Sequence, residues 1–368
     1  MDALSALVSA KRLVIKIGSA LLVQGGQVRQ DWLRALMQDM ADLDAEVILV
    51  SSGAIRLGIG RLGFDPHHLD LSQSQAAAAV GQIALSGEYD AAAQEQNLKI
   101  GQILLTQEDT ESRGRYLNAR GTLNTLLEAG VIPLVNENDT VATAEIRFGD
   151  NDRLAARVAA LVGADCLLIL SDIDGLYTAN PKVAADAQHV PLIRGVDADI
   201  FAMAGQHADP LSKGGMATKL SAAQIALAAG ANMILADGRA NAPLRRLRAG
   251  ERASLFAADK SPTNARKAWI AGTLAPMGTL HIDAGAARAL KAGNSLLPVG
   301  VQSLEGDFER GAAVQVVGPN GLELARGLAA YSAGEARQIL GLHLDEIEPI
   351  LGYIRTKALI HANDLILL

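Results

Sequence analysis

The segment VIKIGSA, at residues 14–20, is an apolar and mostly β-branched run that contains one lysine and ends in small residues. Such a run predicts a buried β-strand that stops at the glycine. A lysine inside a buried strand costs free energy unless its ammonium group meets an anion, and the backbone amides of Gly18 and Ser19 suit a phosphate. The alternative is that Lys16 lies at the edge of the strand and reaches solvent.

Similar apolar runs recur through the first two-thirds of the chain and alternate with longer segments of helical character. The predicted strands are Leu13–Ile17, Val47–Val50, Ile100–Leu105, Val131–Val135, Cys166–Leu170 and Met233–Leu235. The predicted helices are Asp31–Leu43, Ser72–Gln96, Gly114–Glu128, Arg153–Leu161 and Lys219–Ala229. This alternation predicts an α/β fold in which a mostly parallel sheet is sandwiched by helices, with ligands bound beyond the carboxyl ends of the strands.

The last third of the chain has a different pattern. A polar stretch starts at Ala258, and PNG at residues 319–321 predicts a hairpin turn. Short strands are expected at Thr279–Ile282, Pro298–Ser303, Ala313–Val317 and Leu322–Leu328. We therefore expect an α/β domain at residues 1–257, a linker at 258–275 and a small, mainly β domain at 276–368.

The composition favours a small-molecule partner. The 368 residues carry a formal net charge of −7, whereas nucleic-acid affinity depends on Lys and Arg, so a nucleic acid is not the expected partner. Cys166, the only cysteine, lies in an apolar run and is expected to be buried and unreactive. No apolar stretch is long enough to span a bilayer and the N-terminus lacks the order of a secretory signal, so we expect a soluble, cytoplasmic protein without a membrane partner.

Small and polar residues follow several of the predicted strands. They are SSGA at 51–54, NEND at 136–139, GDND at 149–152, SDIDGLY at 171–177 and the glycine-rich KGGMATK at 213–219. Two lysines, Lys16 and Lys219, are thereby expected beyond the strand ends together with several carboxylates. This combination provides the positioning, the charge neutralisation and the magnesium site that phosphoryl transfer requires.

Two other nucleotide-binding motifs do not apply to this chain. GIGRLG at residues 58–63 matches the dinucleotide pattern, but it does not directly follow a strand, and Phe64-Asp65-Pro66 stands where a helix would have to begin. The pattern GxxxxGK[ST] does not occur, which argues against a P-loop enzyme.

The ordered set of strand-end segments resembles the signatures of the amino acid kinase family. The matching segments are KIGS at 16–19, SGA at 52–54, NEND at 136–139, GDND at 149–152, SD at 171–172, GLY at 175–177 and GGMATK at 214–219. Residues 135–152 and GNSLLP at 293–298 resemble the bacterial members that act on L-glutamate. The resemblance implies phosphoryl transfer from ATP to the side-chain carboxylate of L-glutamate, the first step of proline synthesis, and a C-terminal PUA domain.

The resemblance also implies roles for individual residues. Lys16 and Lys219 would flank the transferred phosphoryl group as catalytic residues, and the catalytic Asp152 would hold their ammonium groups. The residues expected to bind ATP are Lys16, Gly18, Ser19, Ser171, Asp172, Lys213, Gly214, Gly215, Met216, Ala217, Thr218 and Lys219. Those expected to bind L-glutamate are Ser52, Gly53, Asn136, Asp139 and Asn151. Mg²⁺ would bridge phosphate oxygens, and we assign it no ligand from the protein.

Two further expectations concern regulation and oligomeric state. The resemblance implies feedback inhibition by L-proline, and we expect a homo-oligomer. Two residues depart from the family pattern: Lys213 stands where a small or hydroxyl residue is common, and Arg147 stands where a lysine is common.

Two alternative functions remain open. One alternative is a sister kinase of the same fold that acts on aspartate, acetylglutamate, carbamate or a nucleotide. The other is an RNA-binding or RNA-modifying protein, against which the net charge of −3 from residue 271 onward argues.

Overall fold

The computed structural model of the chain describes residues 2–141, 151–205, 215–265, 276–354 and 356–368, except for the side chain of residue 113. The chain divides into two compact units, Met1–Thr110 with Ala119–Pro262 and Glu111–Asn118 with Thr263–Leu368. The linker predicted at 258–275 lies partly outside the described residues. In the described ranges, no helix combines the length and the apolar character that crossing a membrane requires.

Strands and helices alternate from Ala3 to Phe256, as the sequence predicts. The strands are β1 (Arg12–Ile17), β2 (Val23–Gln24), β3 (Gln27–Val28), β4 (Glu46–Ser51), β5 (Lys99–Leu105), β6 (Val131–Glu137), β7 (Cys166–Ser171), β8 (Leu176–Tyr177), β9 (His189–Val190), β10 (Leu192–Ile193), β11 (Asn232–Asp237) and β12 (Ala253–Phe256). The helices are α1 (Ala3–Ser9), α2 (Ser19–Leu22), α3 (Gln30–Ala41), α4 (Ala54–Leu62), α5 (Leu71–Gln94), α6 (Gln107–Glu111), α7 (Arg113–Glu128), α8 (Asn151–Val162), α9 (Ala198–Ala202), α10 (Met216–Ala228) and α11 (Pro243–Arg248).

A single large sheet organises the first unit. Among the described residues it has eight strands in the order β10, β12, β11, β7, β1, β4, β6 and β5. The strands from β11 to β5 run parallel, which confirms the predicted fold class. At the other edge β12 runs antiparallel to β11, and β10 pairs in parallel with β12. These two edge strands were not predicted, because runs of two and four residues are too short to show a period.

The two faces of the sheet are covered by different helices. Leu13, Ile15 and Ile17 of β1 pack into one core together with residues of α3, α5 and α11. Because successive side chains of a strand point to opposite faces, Val14 and Lys16 lie on the other face. Helices α8 and α10 pack against each other, and α8 also contacts β1, β4 and β7. Lys16 is therefore on the face of the sheet that α8 covers.

Helices α4 and α5 cross at two glycines with their backbones in contact. A Cβ atom on Gly58 would lie 1.8 Å from the carbonyl oxygen of Ala77, and one on Gly81 would lie 1.7 Å from that of Ala54. No side chain fits at either position. The segment GIGRLG at residues 58–63 is therefore the end of a closely packed helix rather than a dinucleotide-binding loop. The sequence analysis did not predict α4, because its glycines suggest a turn.

The second unit is a small, mainly β domain, as predicted. Its described strands form a sheet in the order β14, β13, β15, β16 and β17. The strands are β13 (Gly278–Ile282), β14 (Val301–Gly306), β15 (Ala313–Val317), β16 (Glu323–Leu328) and β17 (Leu365–Leu367), and the helices are α12 (Ala284–Lys291), α13 (Ala333–Ile339) and α14 (Leu344–Leu351).

Two sequence predictions in this unit have different outcomes. The hairpin is confirmed, since β15 and β16 are antiparallel and the turn between them contains Gly321 with a φ of +74°. The strand predicted at Pro298–Ser303 is wrong in its first half, because Pro298–Gly300 form a 3₁₀ turn and β14 begins at Val301. Proline has no N–H group to give to a strand ladder, which explains the later start.

Candidate active site

Three ionic side chains meet near the carboxyl end of β1. Lys16 Nζ lies 2.6 Å from Asp152 Oδ1, and Lys219 Nζ lies 3.1 Å from Asp152 Oδ2. The three residues are 8%, 9% and 3% exposed for Lys16, Lys219 and Asp152, so water screens these contacts weakly. One buried carboxylate thus holds two ammonium groups, and Lys16 does not reach solvent as a strand-edge lysine would.

Each of these side chains sits at the end of a regular element. Lys16 is the next-to-last residue of β1, while Asp152 and Lys219 lie in the first turns of α8 and α10. Thr218 Oγ1 lies 2.9 Å from Asp152 Oδ2 and 3.0 Å from the carbonyl oxygen of Gly215. Gly215 has a φ of +89°, which only glycine adopts without strain, and it turns the chain into α10. The glycine-rich motif therefore places Lys219 against Asp152.

The electrostatic balance of this cluster favours an anion. Burial by itself would raise the pKa of Asp152, but the ammonium groups of Lys16 and Lys219 outweigh it and lower the pKa to about 2. Asp152 is therefore ionised at neutral pH. One negative and two positive charges leave an excess of one positive charge in a buried place, where an added phosphate group would be strongly attracted.

A polar cavity of about 930 Å³ contains the residues predicted to bind the second substrate. Its lining includes Ser19, Ser52, Gly53, Asn136, Asp139 and Asn151. Asn151 Nδ2 donates to Ser52 Oγ at 2.7 Å and to Asn136 Oδ1 at 3.0 Å, so three of the predicted residues are joined by direct hydrogen bonds. Because Asn151 directly precedes Asp152, the cavity and the ionic cluster share the start of α8.

Two of the lining residues have special properties. Gly53 has a φ of +117° and precedes the first residue of α4, so the turn after β4 depends on a glycine. Burial raises the pKa of Asp139 to about 6. Within the described part of the chain, Asp139 forms no ion pair that would offset this cost. A cationic group of a ligand would lower the pKa of Asp139 and gain a charge-assisted contact.

The residues predicted to bind ATP follow the carboxyl ends of neighbouring strands. Ser171 ends β7 and is buried, whereas Asp172 is exposed, and Ser171 Oγ lies 3.3 Å from Asp172 Oδ1. A Cβ atom on Gly18 would lie 3.8 Å from Leu170 O and 3.9 Å from Lys16 Nζ, so Gly18 adjoins both β7 and the ionic cluster. Among the described residues, Ser171 and Asp172 form no hydrogen bond to the lysines of that cluster.

Three residues singled out in the sequence lie outside the described part of the chain. They are Lys213, Gly214 and Arg147. The glycine-rich segment is described from Gly215 onward, and it includes Met216, Ala217, Thr218 and Lys219.

The geometry of the first unit agrees with comparisons to known proteins. Residues 11–237 match the model of the amino acid kinase family. The chain belongs to this family. Residues 278–351 match the model of the PUA domain, in agreement with the predicted second domain. The predicted resemblance and fold class are thereby confirmed.

This amino acid kinase is also similar to named relatives over almost its whole length. It is 54% identical to glutamate 5-kinase of Agrobacterium fabrum over 365 residues, which cover 98% of this chain and 94% of that protein. It is 54% identical to glutamate 5-kinase of Brucella ovis over 360 residues, which cover 97% of this chain and 95% of that protein.

The sequence analysis assigned no role to Gln24, Arg56 and Glu137, which line the cavity of this amino acid kinase, or to Gln82 behind it. Gln82 lies in α5, is 8% exposed and accepts a hydrogen bond of 2.8 Å from Asn136 Nδ2. A signal was present, because Gln82 shares a helix face with the apolar residues Ala78, Leu85 and Tyr89. A polar side chain at such a position must find a buried partner, but the sequence does not indicate which one.

Proposed function

We propose that this amino acid kinase is a glutamate 5-kinase, which transfers the terminal phosphoryl group of ATP to the side-chain carboxylate of L-glutamate. The products are ADP and L-glutamyl 5-phosphate. The observation that carries the proposal is the buried cluster of Lys16, Asp152 and Lys219, whose excess positive charge lies beside a polar cavity. The two relatives at 54% identity, both named glutamate 5-kinase, support the choice of substrate.

The reaction needs charge neutralisation more than proton transfer. The side-chain carboxylate of glutamate has a pKa of about 4.3, so it is ionised at neutral pH and attacks phosphorus without a general base. The obstacle is the approach of this anion to the phosphate groups of ATP. Lys16 and Lys219 would lie on the transferred phosphoryl group and balance its charge in the transition state. Asp152 keeps both ammonium groups in place before the nucleotide binds.

The cavity would hold L-glutamate by its polar groups. We assign the α-ammonium group to Asp139, because this carboxylate is partly buried and forms no ion pair within the described residues. Ser52, Gly53, Asn136 and Asn151 surround the same space and would contact the remaining polar atoms. Acetylation of the amine removes its charge and adds bulk, so this assignment predicts that acetylglutamate is a poor substrate.

The nucleotide would bind along the ends of β1 and β7 and at the start of α10. Gly18, Ser19, Ser171, Asp172 and the segment from Gly215 to Lys219 occupy these positions. Lys213 and Gly214 belong to the same assignment but lie outside the described residues. Phosphate oxygens would meet free backbone N–H groups at the start of α10, where the helix dipole also favours an anion.

Mg²⁺ would accompany the nucleotide rather than occupy a site made by the protein alone. The oxygens of Asp152 already contact the two lysines and Thr218. Within the described ranges, no group of three or more His, Cys, Asp or Glu side chains is placed to hold a metal ion. This donor set fits an ion that is bound through phosphate oxygens and water and that neutralises phosphate charge.

The proposal also covers the cellular location, the pathway, the regulation and the oligomeric state of the enzyme. We place the reaction in the cytoplasm as the first step of proline biosynthesis, with L-proline as a feedback inhibitor and a homo-oligomer as the active form. The support is the name shared by the relatives together with the sequence resemblance. We also keep the proposed division into a kinase domain at residues 1–257, a linker at 258–275 and a PUA-like domain at 276–368.

A coupled assay for ADP release tests the proposal and its alternatives together. L-glutamate, L-aspartate, N-acetyl-L-glutamate, carbamate and UMP are offered as acceptors with ATP and Mg²⁺, and we expect the highest kcat/KM for L-glutamate. Aspartate is shorter by one methylene, and a misplacement of about 1 Å can lower the rate about a hundredfold. A higher kcat/KM for any other acceptor would replace the proposed function by that of a sister kinase.

A further inference from the structure

A continuous series of side-chain hydrogen bonds runs from the cavity into helix α5. Asn151 Nδ2 donates to Asn136 Oδ1 at 3.0 Å, and Asn136 Nδ2 donates to Gln82 Oε1 at 2.8 Å. Gln82 Nε2 in turn donates to Ser86 Oγ at 3.2 Å, and the Ser86 hydroxyl donates to Gln102 Oε1 at 2.9 Å. The series joins four side-chain amides and one hydroxyl, and its end is the exposed Gln102 on β5.

Gln82 and the backbone N–H of Glu137 together set the order of donors and acceptors in this series. A side-chain amide has one oxygen that accepts and one nitrogen that donates. Because the nitrogen of Gln82 is occupied by Ser86, its oxygen faces Asn136. Asn136 must then direct its nitrogen toward Gln82 and its oxygen toward Asn151, and the same oxygen also accepts the backbone N–H of Glu137 at 2.9 Å.

The first member of the series, Asn151, keeps an acceptor without a partner. The two N–H groups of Asn151 Nδ2 are shared among Asn136 Oδ1, Ser52 Oγ and the carbonyl oxygen of Ser51, the last at 2.9 Å. Asn151 Oδ1 is buried and has no hydrogen-bond partner among the described residues. A buried acceptor without a partner is costly, and Asn151 lines the same cavity as Asp139. A ligand that brings an N–H donor would satisfy it.

We propose that Gln82 is a positioning residue for substrate recognition, which orients the amides of Asn136 and Asn151 so that an oxygen rather than a nitrogen faces the ammonium group of the substrate. The proposal rests on the proposed function, since it takes L-glutamate as the ligand. Gln82 does not line the cavity and acts only through Asn136. Without the oxygen of Gln82, the buried nitrogen of Asn136 loses its partner, and the amide can turn away from the N–H of Glu137 and from Asn151 to find another one. Asn151 then loses the acceptor Asn136 Oδ1, and only Ser51 and Ser52 hold its nitrogen away from the cation.

Substitutions at Gln82 separate an orienting role from a packing role. Gln82→Met keeps the length of the side chain but removes the amide, whereas Gln82→Glu keeps an oxygen that accepts from Asn136. Gln94→Met is the matched control, because Gln94 lies on the same helix, is exposed and has a side chain that bonds only Asp90 among the described residues, at 2.8 Å. We expect Gln82→Met to raise KM for L-glutamate at least about tenfold, with kcat and KM for ATP within about threefold of the unaltered chain.

The variant Gln82→Glu, which keeps the accepting oxygen, and the ligand glutarate make the test specific. Gln82→Glu and Gln94→Met should both keep KM for L-glutamate within about threefold of the unaltered chain. Calorimetry with glutarate, which lacks the amino group, measures whether the lost affinity concerns the ammonium group. In Gln82→Met the preference for L-glutamate over glutarate should fall at least about fivefold.

Three outcomes would overturn the positioning role. They are an unchanged KM in a folded Gln82→Met variant, an equal loss in Gln82→Met and Gln82→Glu, and an equal loss of affinity for L-glutamate and glutarate. If Gln82→Met does not fold, Ser86→Ala replaces it, because it frees the nitrogen of Gln82. KM for L-glutamate should then rise about threefold or more, and an unchanged value rejects the idea. Failure of the proposed function is distinct, since the unaltered chain would then not turn over L-glutamate.

Discussion

Lys16 Nζ and Asp152 Oδ1 lie 2.6 Å apart, so a buried ion pair joins the end of β1 to the first turn of α8. Lys219 in α10 binds the other oxygen of the same carboxylate. The cluster therefore depends on three elements that are distant in sequence and adjacent in the fold. Its positions are set by the ends of regular elements rather than by loops, which favours a preorganised site.

Removal of either lysine should affect turnover more than binding. We expect Lys16→Ala and Lys219→Ala to lower kcat at least about a hundredfold, because each lysine balances charge that develops in the transition state, with smaller changes in KM. Lys11→Ala is the control, since the side chain of Lys11 is exposed and, within the described residues, pairs only with the exposed Asp44 at 3.4 Å. Steady-state kinetics give kcat and KM for the three variants. Near-normal turnover in either active-site variant would show that its lysine does not stabilise the transition state.

Loss of the Asp139 carboxylate should act on one substrate only. We expect Asp139→Ala to raise KM for L-glutamate by at least about tenfold and to leave KM for ATP within about twofold, because only the amino acid carries an ammonium group. Asp44→Ala, a change at an exposed carboxylate, should alter neither constant. An equal rise of both Michaelis constants would show a general disturbance of the site instead.

The carboxylate of Asp139 should also destabilise the fold of the ligand-free chain. Burial raises the pKa of Asp139 from 3.8 to about 6. A carboxyl group whose pKa is higher in the folded than in the unfolded chain destabilises the fold above the folded pKa, and this effect vanishes as the pH falls below the unfolded pKa. Asp139→Asn should therefore raise the free energy of unfolding by about 1–3 kcal/mol at pH 8.

The pH dependence provides the control for this stability change. At pH 4 the carboxyl group is protonated in the folded chain, so Asp139→Asn should change the free energy of unfolding little. Urea unfolding of both chains at the two pH values measures the difference. A gain of the same size at pH 4 and pH 8 would have to come from packing rather than from ionisation.

Two glycines of α5 should respond in opposite directions to the same substitution. Gly81→Ala places a methyl group 1.7 Å from the carbonyl oxygen of Ala54, so the two helices must separate and we expect a loss of about 3 kcal/mol or more. Gly87→Ala meets nothing within 4 Å and should stabilise the helix by about 0.5–1 kcal/mol. Chemical unfolding of both variants gives the comparison, and similar values would contradict the close crossing of α4 and α5.

The end of the first unit can be located by shortening the chain. Ala257 N donates to Ile193 O at 2.8 Å, and Ala258 N donates to Asn232 Oδ1 at 3.0 Å. A chain that ends at Pro262 keeps both bonds and should retain glutamate-dependent ADP release. A chain that ends at Phe256 loses both and should unfold at a lower temperature. A folded chain ending at Pro262 that is inactive would show that later residues contribute to the site.

The parts of the site that follow the strands could be predicted from sequence. Lys16, Asn136 and Ser171 each stand at or near the end of an apolar run, and parallel strands bring such ends together. The resemblance to a family then linked Asp152 and Lys219 to Lys16, and in the structure the three side chains are in contact. Position along a strand fixes position in the sheet, so the sequence could indicate that these residues lie near one another.

Features that depend on a distant partner could not be predicted in this way. Gly58 suggests a turn when it is considered alone, and only the contact with Ala77 explains it as part of a helix. Gln82 lies 54 residues before Asn136, and no local pattern connects the two. The antiparallel pairing of β12 with β11 is likewise decided by packing at the edge of the sheet and not by the four residues of β12.

The crossing of α4 and α5 gives the cavity one stiff wall. Since the backbones already touch at Gly58 and Gly81, the two helices cannot move closer together. Gly53, Ile55 and Ile59 line the cavity from the side of α4, so this wall cannot yield toward α5 unless α5 moves as well. Helix α5 carries Gln82. A ligand that presses α4 toward α5 therefore also presses on the helix that holds the amide of Asn136.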